Sequence, residues 1–145
     1  MEREYKLLIV DDESEILNTY KEYFAKRDFQ VEVASNGIEG LEKLIHGEFD
    51  VAIVDIQMPK MNGIEMIRLA RKEGVDTDMV ILTGHGDRDD AVAAINLGVS
   101  AWFEKPSIEM SKLKDKVVDI AQVISLTEVE RILSAIPNGE QRDRL

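Results

Sequence analysis

Five short apolar segments recur along the chain, and a stretch with helical spacing follows each of them. Leu7-Leu8-Ile9-Val10, Val51-Ala52-Ile53-Val54 and Met79-Val80-Ile81-Leu82 are unbroken, the pattern of strands buried on both faces of a parallel sheet. Phe29, Val31 and Val33 alternate with Gln30, Glu32 and Ala34, which predicts a half-covered strand at a sheet edge. Ala101-Trp102-Phe103-Glu104 is the fifth segment. Between these, Ile16, Tyr20, Tyr23 and Phe24 predict a helix from Ser14 to about Arg27, and a second helix runs from about Asn36 to His46. Ile64, Ile67 and Leu69 place a third helix up to about Glu73, with Gly74 as its stop, and Ala91 to Leu97 a fourth, closed by Gly98. Ser107 reads as the N-cap of a fifth helix, which carries Leu113, Val117, Ile120, Ala121 and Ile124 on one stripe.

Strands alternating with helices over residues 1–125 predict one α/β domain: a flavodoxin-like, doubly wound, five-stranded parallel sheet of order 2-1-3-4-5, with helices on both faces. Residues 126–145 read as a C-terminal extension. Thr127 and Glu130 have capping-box spacing, predicting a short helix over about 128–136 that Pro137 stops, then a disordered polar tail from Asn138.

The polar residues that terminate the strands carry the chemistry. The first, third, fourth and fifth strands end in Asp11-Asp12, Asp55, Thr83 and Lys105, and in a parallel sheet these ends share one edge, where α/β folds bind ligands. Taken singly, each has a plain account: Asp11 and Asp12 as a helix cap, Asp55 as a turn residue, Thr83 as a strand-end hydroxyl, Lys105 as a solvated charge. Together they make a pocket whose carboxylates repel one another and ask for a cation. All-oxygen donors suit Mg2+, and a carboxylate such as Asp55 can act as a nucleophile on phosphorus. Lys105 and Thr83 are then placed to receive phosphoryl oxygens.

Composition narrows the alternatives. Acidic residues outnumber basic ones 29 to 18, for a net charge of −11, so this chain predicts no direct contact with nucleic acid. No segment has the apolar length of a membrane span or the core of a signal peptide, and cysteine is absent, which together predict a cytoplasmic protein. His46 and His85 have no neighbouring His or Cys, which argues against a transition-metal site.

Asp11-Asp12, Asp55 with Met58-Pro59 and Met61-Asn62-Gly63 behind it, Thr83-Gly84 and Lys105-Pro106 resemble the full motif set of the receiver domain of two-component response regulators, over about residues 5–125. The resemblance implies phosphorylation at Asp55 by a sensor histidine kinase or a histidine phosphotransfer protein. It implies Mg2+ bound by Asp12, Asp55 and the backbone carbonyl of Gln57, with Asp11 contributing through water. It also implies a switch pair of Thr83 and Trp102 and a cis peptide bond before Pro106. Trp102 stands where the family usually has Tyr or Phe. The changed face would be the fourth helix, fifth strand and fifth helix, read by a partner, an output domain or a second copy in a homodimer. Thr83-Gly84-His85-Gly86-Asp87 is similar to receivers of nitrogen-regulator-type transcriptional activators, whose output domain would lie beyond a linker at the C-terminus.

Two other classes compete. A Mg2+-dependent phosphatase with an aspartyl nucleophile would need a general acid, and Ile56-Gln57-Met58 supplies none at the positions after Asp55. A flavodoxin-like cofactor carrier would need a phosphate-cradling loop after the first strand, where Asp11-Asp12-Glu13 would repel the phosphate.

Overall fold

The computed structural model describes residues 4–105, 108–122 and 126–136. The strands are β1 (Tyr5–Val10), β2 (Phe29–Ala34), β3 (Val51–Val54), β4 (Asp78–Thr83) and β5 (Ala101–Glu104). They form one sheet of order β2-β1-β3-β4-β5, and every neighbouring pair is parallel. The helices are α1 (Ser14–Ala25), α2 (Gly37–His46), α3 (Gly63–Lys72), α4 (Arg88–Asn96), α5 (Met110–Ala121) and α6 (Leu126–Ser134).

Side chains alternate across each strand, so the two faces of the sheet bury different residues. Leu8, Val10, Ala52, Val54, Met79 and Ile81 pack under α2, α3 and α4 with Leu44, Met66, Ile67 and Ala94. Leu7, Ile9, Val51, Ile53, Val80 and Leu82 pack under α1 and α5 with Leu17, Phe24, Leu113 and Val117. Unbroken apolar strands are thus the direct product of a sheet covered on both sides. Gly74 and Gly98 end α3 and α4 at φ values of 83° and 73°, which a side chain would strain.

Several elements differ from the sequence pattern. The buried face of α1 is Leu17 and Phe24, while Tyr20 and Tyr23 are half-buried. On α4 only Ala94 is buried; Val92 is 49% and Ile95 76% exposed. Asp87 and Asp90 close a capping box at the start of that helix. Helix α5 begins at Met110 with Glu109 in the N-cap position, so Ser107 is not its cap, and Ser107 itself lies outside the described residues. Helix α6 already includes Leu126, which places Thr127 inside the helix and not at its cap. Ile124, Pro137 and the tail from Asn138 lie outside the described residues.

Arg71 ties the far ends of α3 and α4 together. Its guanidinium donates to the carbonyls of Val75 and Thr77, each at 2.9 Å, and to that of Leu97 at 3.2 Å. Helix α4 is therefore anchored more by polar contacts at its ends than by burial along its length.

Candidate functional site

Each strand end is fixed by its neighbour. The Asp11 amide donates to the Ala34 carbonyl at 3.1 Å, the Asp55 amide to Val10 at 2.9 Å, and the Lys105 amide to Thr83 at 3.0 Å. The sheet ladder thus continues one residue past the strands and sets the carboxylates and the lysine at one depth. Behind Asp55, the Gly63 amide donates to Ile56 at 2.8 Å, and a Cβ at Gly63 would collide with the Asp55 carbonyl oxygen and crowd Val54. Only glycine lets α3 start this close to the Asp55 backbone.

Asp11 is 3%, Asp55 6% and Thr83 1% exposed, while Asp12 is open to solvent. Carboxylate oxygens of Asp11, Asp12 and Asp55 lie within 4.8 Å of one another, a donor set that could hold a metal ion. The Lys105 ammonium sits among them, 2.6 Å from Asp11, 3.4 Å from Asp55 and 3.6 Å from Glu13. Burial pushes the Asp11 carboxyl above its ordinary pKa, against hydrogen bonds from Lys105 and the Glu13 amide. Burial also works to lower the Lys105 pKa, but the hydrogen bond to Asp11 and the charges of Asp11, Asp55 and Glu13 outweigh it and raise the pKa. The two shifts differ in origin: loss of water raises the Asp11 carboxyl, whereas the hydrogen bond to Asp11 and the surrounding carboxylates raise Lys105. Hard oxygen donors with excess negative charge fit a small divalent cation such as Mg2+.

A cleft of about 690 Å³ opens over these groups. Asp12, Glu13 and Tyr20 form one wall, Thr83 and His85 the other, and Gln57 lies in its border beside Asp55. The Thr83 hydroxyl accepts a hydrogen bond from the His85 amide at 3.3 Å, which leaves its proton free to be donated.

The structure therefore brings Asp11, Asp12, Asp55, Gln57, Thr83 and Lys105 into one cleft. Trp102 lies next door, on a separate groove of about 310 Å³ between α4 and β5. Pro106, with its expected cis bond, lies outside the described residues. Glu13 and Tyr20 were not identified from sequence as site residues. Burial raises the Tyr20 phenol pKa; Lys105 opposes the rise, and Asp11 and Glu13 add to it. Ile16 and Tyr20, one helical turn apart behind Asp12, are the signal that could have found this wall.

A 2-1-3-4-5 parallel sheet carrying an acidic triad, a hydroxyl and a lysine on its carboxyl edge defines the receiver class of α/β signalling modules. The chain belongs to the response regulator receiver domain family, whose model matches residues 7–118. Among curated relatives, it is 31% identical over 101 residues to the transcriptional regulatory protein DltR of Streptococcus agalactiae, covering 70% of this chain and 45% of that protein. It is 30% identical over 100 residues to the response regulator SaeR of Staphylococcus aureus, covering 69% of this chain and 43% of that protein. The chain thus spans less than half the length of these relatives. Among solved structures, a CheY-like receiver domain from Methanospirillum hungatei superposes with a TM-score of 0.78 at 29% identity, over 82% of this chain and 94% of the other. A receiver domain from Clostridium thermocellum gives 0.73 at 33% identity, over 81% and 94%. Receivers act as switches in two-component signalling and not as conventional enzymes. No helix among the described residues is long and apolar enough to cross a membrane.

Proposed function

We propose that this chain is a phosphorylation-dependent switch in which Asp55 accepts a phosphoryl group from a sensor histidine kinase or a histidine phosphotransfer protein. The observation that carries the reading is the placement of Asp55: buried at the end of β3, within metal-sharing distance of Asp11 and Asp12, and 3.4 Å from the Lys105 ammonium. Asp11, Asp12, Asp55 and the Gln57 carbonyl would hold Mg2+, which when bound neutralises carboxylate and phosphoryl oxygens.

The residues divide the rest of the work. A carboxylate oxygen of Asp55 attacks phosphorus; the new P–O bond forms as the P–N bond to the donor imidazole breaks, and the imidazole leaves with the electron pair and takes up a proton. Lys105, already between Asp11 and Asp55, shifts its charge to a phosphoryl oxygen. The Thr83 hydroxyl turns its proton to a second oxygen while still accepting from His85. That movement pulls on the loop leading into α4, so the new charge biases the face formed by α4, β5 and α5. A partner, an output domain or a second copy reads this face, with residues 1–125 as the receiver and 126–145 as an extension from it.

Intact mass after incubation with acetyl phosphate and Mg2+ tests the reading. One phosphoryl addition is expected, absent from Asp55→Asn and from a sample with EDTA. An unchanged addition on Asp55→Asn, or none on the native chain from any phosphorylated kinase tried, overturns it.

A further inference from the structure

We propose that Gly86 is the positioning residue for the Trp102 indole: its missing side chain leaves the seat on which the ring rests. A Cβ built on Gly86 would fall on indole Cζ2, 2.5 Å from Cη2 and 3.3 Å from the Thr83 methyl. The six-membered ring therefore packs directly on the Gly86 backbone, and the Thr83 methyl also borders position 86. Glycine is not required here by backbone conformation, since the positive-φ glycines are Gly74 and Gly98. What position 86 requires is space. Gly84, two residues earlier in the same loop, meets nothing within 4 Å of an added Cβ, so the requirement is local to the ring.

The pairing gives the unusual indole a physical account. Trp102 faces Ile81 across the β4–β5 ladder, and its ring packs partly buried on the core beneath α4. An indole is longer than a phenyl or phenol ring, and its far edge reaches the loop after β4. A side chain at position 86 would drive that edge outward, toward the groove of Ala91, Ala94, Ile95, Val99 and Ala101. The loop from Thr83 to Gly86 is thus held at both ends, by the Thr83 hydroxyl toward the cleft and by the Gly86 backbone beneath the ring. A shift of Thr83 toward Asp55 moves the seat, and the ring has to follow. This coupling rests on the phosphorylation reading above; the seating of the ring does not.

Trp102 is the one tryptophan of the chain, so its emission reports the seat directly. Emission maximum and acrylamide quenching are to be measured on the native chain, Gly86→Ala and Gly84→Ala, before and after acetyl phosphate with Mg2+, with intact mass on each sample. Gly86→Ala is expected to red-shift the emission and raise the quenching constant in the resting state, and to lose the emission change that accompanies phosphoryl addition. Gly84→Ala is expected to keep the native emission. Thermal unfolding supplies a second reading: Gly86→Ala should cost less stability on a Trp102→Phe background than on the native one. Native-like emission in Gly86→Ala, equal red shifts in both glycine variants, or equal stability costs on both backgrounds would overturn the seat. Absence of phosphoryl addition on the native chain, from acetyl phosphate and from every phosphorylated kinase tried, would instead overturn the phosphorylation reading, and the resting-state spectra would still decide the role of Gly86.

Discussion

The Lys105 ammonium lies 2.6 Å from the Asp11 carboxylate, a contact that spans 94 residues of sequence. Their side chains are 11% and 4% exposed, so the pair is largely withdrawn from water. Its 3.4 Å approach to Asp55 makes the same ammonium the counter-charge of two buried carboxylates. Lys105→Met should therefore leave an uncompensated pair behind. The expected cost is about 2–3 kcal/mol at neutral pH without metal, below the usual loss from breaking a buried ion pair because the cleft opens to solvent. Urea unfolding of the variant with and without Mg2+ measures it, and Mg2+ should restore part of the loss.

Asp11 gives the opposite sign. Burial raises its folded-state pKa above the ordinary 3.8, so its contribution to stability is fully present below that value and is lost as pH rises through the folded pKa. At neutral pH the charged group is a burden on the metal-free fold. Asp11→Asn should accordingly be more stable than the native chain at pH 7, with Lys105 still paired to Asp55 and Glu13, and the gain should vanish toward acid. Lys105, raised above 10.5, contributes stability that persists below that pH and fades only in strong alkali. Thermal melts across pH in EDTA check both slopes.

Metal binding should relieve the same strain of like charges. Mg2+ at one hundred times its dissociation constant is expected to stabilise the native chain by about 2.7 kcal/mol. Asp12→Asn removes the exposed member of the triad, so its metal-free stability should change little while the Mg2+-dependent gain falls sharply. Melting curves with graded Mg2+ separate the two effects.

Arg71 joins the end of α4 to the α3–β4 connection, donating to Leu97 on one side and to Val75 and Thr77 on the other. Hydrogen bonds from a charged donor contribute about 1.5–3 kcal/mol, so Arg71→Ala should cost about 2 kcal/mol of global stability. Amide exchange is expected to quicken first in α4, where Ala94 is the buried residue, and to remain slow in β1 and β3. Uniform quickening across the sheet would show that the anchor serves the whole fold.

Much of this architecture was legible in the chain itself, for a physical reason. A strand covered on both faces must be apolar throughout, so Val51–Val54 and Met79–Leu82 announce a parallel sheet, and the polar residue after each run marks the functional edge. Asp11, Asp55, Thr83 and Lys105 meet there because four neighbouring strands run in one direction. The wall made by Glu13 and Tyr20 was not legible, since the rotation of α1 about its axis is set by how Leu17 and Phe24 pack on the sheet. The exposure of Val92 and Ile95 was not legible for a related reason: helical spacing shows that residues share a face, and not whether anything covers it. The start of α5 was misplaced because Ser107 has better capping chemistry than Glu109, yet the chain turns into the helix only at Met110.

Glu13 stands at the rim of the cleft with its side chain 62% exposed, on a chain of net charge −11. On the phosphorylation reading proposed above, a phosphoryl donor would have to diffuse up to that rim before any bond is made. A small anionic donor climbs a repulsive potential, so its encounter rate should rise as added salt shortens the reach of the field. A donor that presents basic residues around its phosphohistidine descends the same potential, and its encounters should slow with salt. The acidic rim would thus sort donors by their surface charge at the moment of approach, before the interior of the cleft has touched either one.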